Sequence, residues 1–225
     1  MTRRDKRSLI LCLVLGDGSL FSDKRHSRIT ISHCDAQADL LSWKAALVGN
    51  ITGRYPKMRI GGTSKYSQSR GLQFSLHWKR IRAWHKRFYP NRKKDRLKML
   101  PFIHHPELAI AIWLCDDGSS DKDGRLRLHT NAMSQEDNTT LSEWIFKHLG
   151  VRPKVLSQWS SLRKRSYAYL QFNVTDTVVL YTKVRDFLLQ FDSMKNKFQR
   201  TERRFQRVST EPSASRYGKD IVHHN

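Results

Sequence analysis

Ile10-Leu-Cys-Leu-Val-Leu-Gly-Asp-Gly18 and Ile110-Ala-Ile-Trp-Leu-Cys-Asp-Asp-Gly118 are two versions of one stretch. Each is an apolar run that ends abruptly in Asp-Gly and is followed by a serine. The closing aspartates, Asp17 and Asp117, stand 100 positions apart. A helix that is apolar on every side must be buried on every side. The run is far shorter than the roughly 20 apolar residues needed to cross a bilayer, so each copy predicts a helix enclosed between protein layers. A carboxylate at the end of such a helix is costly, because desolvation opposes its charge and the helix C-terminus repels it. Asp116 beside Asp117 sharpens the conflict. A hard cation such as Mg²⁺, which takes carboxylate and backbone carbonyl oxygens, resolves it. An Asp-Gly turn that merely closes a core helix is the plainer reading of one copy. Two copies inside a longer repeat favour the cation.

The repeat extends outward from these stretches. Trp43 and Trp144 are 101 positions apart, as are Gly49 and Gly150, while Phe74 and Phe172 differ by 98. Ordered matches at a nearly constant offset indicate duplication. Past Asp17, residues 26–33 alternate, with Arg28, Thr30 and Ser32 opposite Ile29 and Ile31, the mark of a half-buried strand. A helix over 36–48 follows, with Gly49 as its stop. Strands at 57–60 and 72–78 flank a hairpin tip, and a basic helix covers 79–89. The second half repeats this order: helix from Pro106, a strand at 125–130 with Arg125, Arg127 and His129 against Leu126 and Leu128, and a capping box at Ser134 and Asp137. Then come a helix to Leu149, strands at 151–159 and 167–174, and a helix over 176–189. Residues 1–95 and 106–207 form the halves, 96–105 a basic linker, and 208–225 a flexible tail.

The chain has 225 residues, 38% of them hydrophobic, and a formal net charge of +22, far beyond what solubility requires. Such an excess points to a polyanionic partner. No amphipathic anchor, lipidation motif or signal peptide is evident, which argues against a membrane. Cys12, Cys34 and Cys115 have no paired spacing, so a zinc site does not fit and a reducing, intracellular compartment does.

With both stretches and the elements between them in hand, the chain resembles the LAGLIDADG homing endonucleases. Its order and spacing are most similar to the single-chain, two-motif branch found in organellar group I introns, over about residues 8–200. The resemblance implies an α+β fold of two pseudo-symmetric αββαββα domains, packed through their motif helices, with antiparallel sheets forming a saddle for DNA. It implies a monomer that makes a metal-dependent double-strand break in a long asymmetric DNA site and leaves short 3′ overhangs. Two or three Mg²⁺ ions, for which Mn²⁺ substitutes, would be held by Asp17 and Asp117 with carbonyls at Gly16 and Asp116. Basic residues close each half in the family. Lys94 matches the first, with Lys93 as competitor, and Lys197 the second, in Ser193-Met-Lys-Asn-Lys197-Phe, with Lys195 as competitor.

DNA contacts would come from Arg28, Thr30, Ser32, Arg59, Gln73 and Ser75 in the first half. In the second they would come from Arg125, Arg127, His129, Lys154, Gln171 and Asn173, with the tips Lys65, Arg70, Arg163, Lys164 and Arg165 gripping the flanks. Alternating strand positions of this kind reach phosphates and base edges in the major groove. The chain departs from the motif at Leu15 and Cys115, where the first Asp is usual, at Cys12 and Ile112, where Gly is usual, and at Asp116, where a small residue is usual. The rival reading on the same fold is an intron maturase that binds RNA. The family's range leaves the compartment open between an organelle (mitochondrion or chloroplast) and a prokaryotic cytoplasm.

Overall fold

The computed structural model describes residues 1–61, 71–161 and 164–210. Lys65, Arg70 and Arg163 lie outside the described residues. The first half runs α1 (Arg3–Leu15), β1 (Ser19–Ser22), β2 (Ser27–Cys34), α2 (Ala38–Thr52), β3 (Met58–Ile60), β4 (Gly71–His77) and α3 (Ile81–Phe88). The second runs α4 (Pro106–Asp117), β5 (Gly118–Ser120), β6 (Leu126–His129), α5 (Gln135–Leu149), β7 (Lys154–Ser160), β8 (Arg165–Gln171) and α6 (Val174–Leu189). Two further helices, α7 (Asp192–Lys197) and α8 (Gln199–Thr210), follow. Both halves therefore read αββαββα.

Each half holds one antiparallel sheet, ordered β1-β2-β4-β3 and β5-β6-β8-β7. The sheets are equivalent in register. Ile31 pairs with Phe74 on the inner face of the first, and Leu128 with Leu170 on that of the second. All of these are fully buried. Thr30 opposite Ser75 and Arg127 opposite Gln171 occupy the outer faces, as period-two alternation demands.

The motif helices α1 and α4 pack against each other. Residues 10–15 of α1 and 109–115 of α4 are buried almost without remainder. Cys12 and Ile112, where glycine was expected from the family pattern, are both wholly enclosed. Among the described residues no helix is long and apolar enough to cross a membrane.

Three element ends fall where the sequence pattern does not mark them. α1 begins at Arg3, because Thr2 and Asp5 form a reciprocal capping box. α2 runs past Gly49 to Thr52 and is closed by Gly53 at φ 73°. Gly49 lies inside the helix because Tyr55 packs over it: a Cβ there would sit 2.3 Å from Tyr55 Cδ1. In the second half Gly150, at φ 75°, does close α5. Within the linker Met99, Leu100 and Ile103 are buried and a 3-10 turn spans Leu100–Phe102. Finally, α8 continues to Thr210, past the 207 boundary, and is tied to α6 by Tyr181 and Arg185, which both donate to Glu202.

Candidate functional site

The two motif helices end side by side, α1 at Leu15 and α4 at Asp117, and in each the glycine after the aspartate bonds back to the helix. Gly18 donates its N–H to Leu13 O at 3.2 Å, and Gly118 donates to Leu114 O. A Cβ would lie 2.3 Å from Leu13 O at Gly18 and 2.4 Å from Leu114 O at Gly118. Glycine is thus needed where the chain folds back against its helix, and the aspartate before it is left at the helix end.

A half-buried lysine seals each end. Lys94 Nζ donates to Val14 O at 2.9 Å and to Gly16 O and Gly18 O at 2.7 Å. Lys197 Nζ donates to Cys115 O at 2.5 Å and Asp116 O at 3.1 Å. Arg96 adds a bond from Nε to Leu15 O at 2.7 Å. These cations meet carbonyls that have no partner within the helix and oppose the negative end of its dipole. Lys93, the competitor of Lys94, has no such bond, and Lys195 pairs locally with Asp192.

Three carboxylates meet here: Asp17, Asp116 and Asp117. Loss of hydration, then the charges of Asp116 and Asp117, raise the Asp17 carboxyl above the usual range. Asp117 is raised as well, by burial and by Asp116. Burial, then neighbouring Arg96, brings the Lys94 ammonium down to about 7, and Lys197 is lowered chiefly by burial. A centre that leaves two carboxyls short of positive charge is suited to a cation.

The oxygens of the three carboxylates are not equally free. Both Asp116 oxygens are taken, Oδ1 by buried Lys44 and Oδ2 by the Asp17 N–H at 2.9 Å. Asp117 Oδ2 accepts from Trp113 Nε1 at 3.1 Å. The Asp17 side chain is 40% exposed, and its Oδ2 lies 3.4 Å from His33 Nδ1. Ligand atoms of Asp17, His33 and Asp116 lie within 4.8 Å of one another. His33 is pushed down to about 4 by burial and by Lys44, and is therefore neutral. Lys44 Nζ, a donor only, lies 3.0 Å from His33 Nε2. That places the imidazole proton on Nδ1, which faces Asp17 and has no hydrogen-bond partner. Among the described residues, no hydrogen bond reaches the Asp17 carboxylate or Asp117 Oδ1, whereas each Asp116 oxygen accepts one.

His33, Lys44, Arg96 and Trp113 were not singled out from the sequence. Two of them had a legible signal. Lys44 occupies a core position of the Leu40, Leu41, Ala45, Val48 face, and His33 continues the inward alternation of Ile29 and Ile31. A lysine at a core position is nearly always paired.

The outer face of the first sheet carries the expected DNA-contact residues. Arg28, Thr30, Ser32, Arg59, Gln73 and Ser75 all lie opposite the buried Ile29, Ile31, Phe74 and Leu76. Thr30 and Ser75 hydroxyls are 2.8 Å apart. In the second sheet Arg125, Arg127 and Gln171 converge on one carboxylate, that of Asp121, at 2.8, 3.5 and 2.9 Å. His129 Nε2 meets Ser119 Oγ at 2.8 Å. Lys154, Lys164 and Arg165 are exposed. Asn173 is not on the sheet: it caps α6, accepting from Asp176 N–H at 2.8 Å.

Two αββαββα units, joined through helices whose ends bring an aspartate from each half to one centre, define the two-motif homing-endonuclease fold. A family model described as the LAGLIDADG DNA endonuclease family matches residues 7–160, and the chain belongs to that family. Among curated proteins it is similar to "Probable intron-encoded DNA endonuclease 3" of Mycosarcoma maydis, with 29% identity over 87 residues. That match takes in 38% of this chain and 60% of that protein. Among solved structures it is similar to the homing endonuclease I-WcaI bound to its DNA recognition sequence, with TM-score 0.64, 16% identity, and 87% and 86% of the two chains covered. Mesophilic variants of I-DmoI align with TM-score 0.51 and 15% identity, over 81% of this chain and 96% of theirs. These likenesses show the fold.

Proposed function

We propose that this chain is a site-specific homing endonuclease that makes a divalent-metal-dependent double-strand break in a long asymmetric DNA duplex, leaving short 3′ overhangs. The observation that supports this reading is that the ends of the two motif helices pack together, each with a half-buried lysine bound to its terminal carbonyls. Kinship with an intron-encoded endonuclease supports the homing role.

Asp17 and Asp117 would hold Mg²⁺, or Mn²⁺ in its place, with main-chain oxygens at Gly16 and Asp116 in reach once Lys94 and Lys197 turn toward the phosphates. When bound, the ions supply Lewis-acid stabilisation of the phosphoryl charge and a more acidic attacking water. The protein's own groups do the rest. Lys94 and Lys197, held at the two motif ends, face the developing charge or orient the water. His33 Nδ1, 3.4 Å from Asp17 Oδ2 and without a hydrogen-bond partner, would steady that carboxylate by closing onto it. The aspartates are related by the pseudo-twofold of α1 and α4, and the strands of a duplex by a twofold, so each aspartate serves mainly one strand.

Affinity would come from the cationic surface and sequence choice from the outer sheet faces. The first sheet offers Arg28 and Arg59 beside short hydroxyl and amide groups, and the second offers Arg127, His129 and Tyr169. Unlike faces demand unlike half-sites. A single chain containing both halves would act as a monomer.

The test is incubation of the protein with a randomised duplex library, with Mg²⁺ and then with EDTA, followed by sequencing of cut ends. One long asymmetric site, cut only with metal, is expected. No cutting, together with salt-sensitive binding to structured RNA, would replace this reading with the maturase one.

A further inference from the structure

Asp116 is adjacent to Asp117 but serves the other half of the molecule. Its side chain is fully enclosed, as is that of its partner Lys44. Lys44 comes from α2 of the first half, Asp116 from α4 of the second, and the Asp17 N–H that donates to Asp116 Oδ2 at 2.9 Å belongs to the first again. Gly16 makes this route possible, since a Cβ there would sit 2.1 Å from Asp116 Oδ2. Asp117 has no equivalent support. Its carboxylate is held within its own helix, by Trp113 Nε1. The first motif lacks a counterpart of Asp116, because Gly16 occupies that position.

A wholly buried ion pair is weak evidence for stability, since its desolvation cost rivals its attraction and an apolar pair of like volume often serves as well. Here one oxygen of the pair does something an apolar pair cannot, which is to fix the backbone of a motif aspartate. We propose that Lys44 and Asp116 are a positioning pair for Asp17 alone, so that cutting of the strand served by Asp17 can be lost separately from cutting of the other. This rests on the reading of Asp17 and Asp117 given above. The step itself is unchanged: water adds to phosphorus, the P–O3′ bond breaks, and a proton goes to the leaving oxygen.

Two charge-neutral double variants isolate the contact. Lys44→Met with Asp116→Asn keeps an acceptor for the Asp17 N–H, and His33 Nε2, 3.7 Å from Asp116 Oδ1, is placed to take the new amide proton. Lys44→Met with Asp116→Leu keeps the volume and removes the acceptor. Each is tested on a supercoiled plasmid carrying the selected site, with each strand labelled and Mg²⁺ saturating. The expected result is that the Asn variant keeps the wild-type ratio of the two strand rates. The Leu variant accumulates nicked circle, one strand slowing about tenfold or more relative to the other, as loss of one charge-assisted hydrogen bond allows. Lys44→Met with Asp116→Ala, which also lacks the acceptor and leaves room for water, must show the same bias if the Leu variant folds poorly. Equal slowing of both strands, or identical behaviour of the Asn and Leu variants, overturns this inference alone. A wild-type protein that cuts neither strand overturns the proposed function and this inference with it.

Discussion

Lys94→Met tests the role of the lysine at the end of α1. Its Nζ donates to three main-chain oxygens, at 2.9, 2.7 and 2.7 Å, belonging to Val14, Gly16 and Gly18. Those three residues are buried, so the carbonyls have little access to water. A hydrogen bond to a charged group is worth about 1.5–3 kcal/mol. Three such bonds on one atom do not add, and the sum is reduced because the ammonium itself is desolvated, as its lowered pKa shows. Methionine fills the same volume and supplies no donor. We expect a loss of about 3 kcal/mol, which for a chain of this size lowers Tm by about 6–12 °C. Lys197→Met removes two such bonds and should cost less, about 2 kcal/mol. Circular dichroism melts of the purified variants, with matched ionic strength and EDTA present, read both. A fall of less than about 2 °C for Lys94→Met, on the same scale, or a larger fall for Lys197→Met, would refute the sealing of the motif ends by these lysines.

Asp17→Asn and Asp117→Asn should each slow cutting about a thousandfold or more, the loss of several kcal/mol of metal-borne stabilisation, while gel-shift affinity for DNA stays within a few-fold. Gly16→Ala should cost about 1–3 kcal/mol by overpacking against Asp116, visible as a lower melting temperature. The raised carboxyls of Asp17 and Asp117 bind protons that compete with a cation. As pH falls through their elevated range, cutting should decline, and more Mg²⁺ should move that acid limb to lower pH; a limb indifferent to Mg²⁺ would contradict the assignment. Affinity for duplex DNA should fall steeply with salt, as release of counterions requires, and a shallow slope in a salt titration would count against the sheet-face interface.

Much of the architecture was readable because it rests on local rules. Alternation at 26–33 and 125–130 marked β2 and β6 with the correct faces, and the all-apolar stretches marked α1 and α4. The Ser134–Asp137 box forms as expected. What escaped the sequence depends on tertiary partners. Gly49 looked like a helix stop because Gly150 is one at the same offset, yet Tyr55 packs over Gly49 and the left-handed turn moves to Gly53. The Thr2 cap carries α1 back to Arg3, well before the apolar stretch that begins at Ile10. At the site, Asp17, Asp117, Lys94 and Lys197 stood out by spacing and resemblance. The expectation for Asp116 concerned only its main-chain carbonyl; that its side chain would be held by Lys44 and the Asp17 N–H was not foreseen, a relation between residues 72 and 99 positions apart. No local pattern encodes such a pairing. Arg125, Arg127 and Gln171 share the carboxylate of Asp121, a convergence that the alternation over 125–130 does not reveal.

The central claim is that one cation centre lies between the ends of α1 and α4. It can be tested without knowing the DNA target, by replacing Mg²⁺ with Fe²⁺ in the presence of duplex DNA, adding ascorbate and peroxide, and mapping where radicals formed at the bound iron cut the polypeptide. Cuts near Asp17 and near Asp117 are expected, suppressed by excess Mg²⁺ and lost in the double Asp17→Asn, Asp117→Asn variant. Cuts confined to another acidic site such as Asp121–Asp123, or cuts at the motif ends that survive both excess Mg²⁺ and the double substitution, would contradict it.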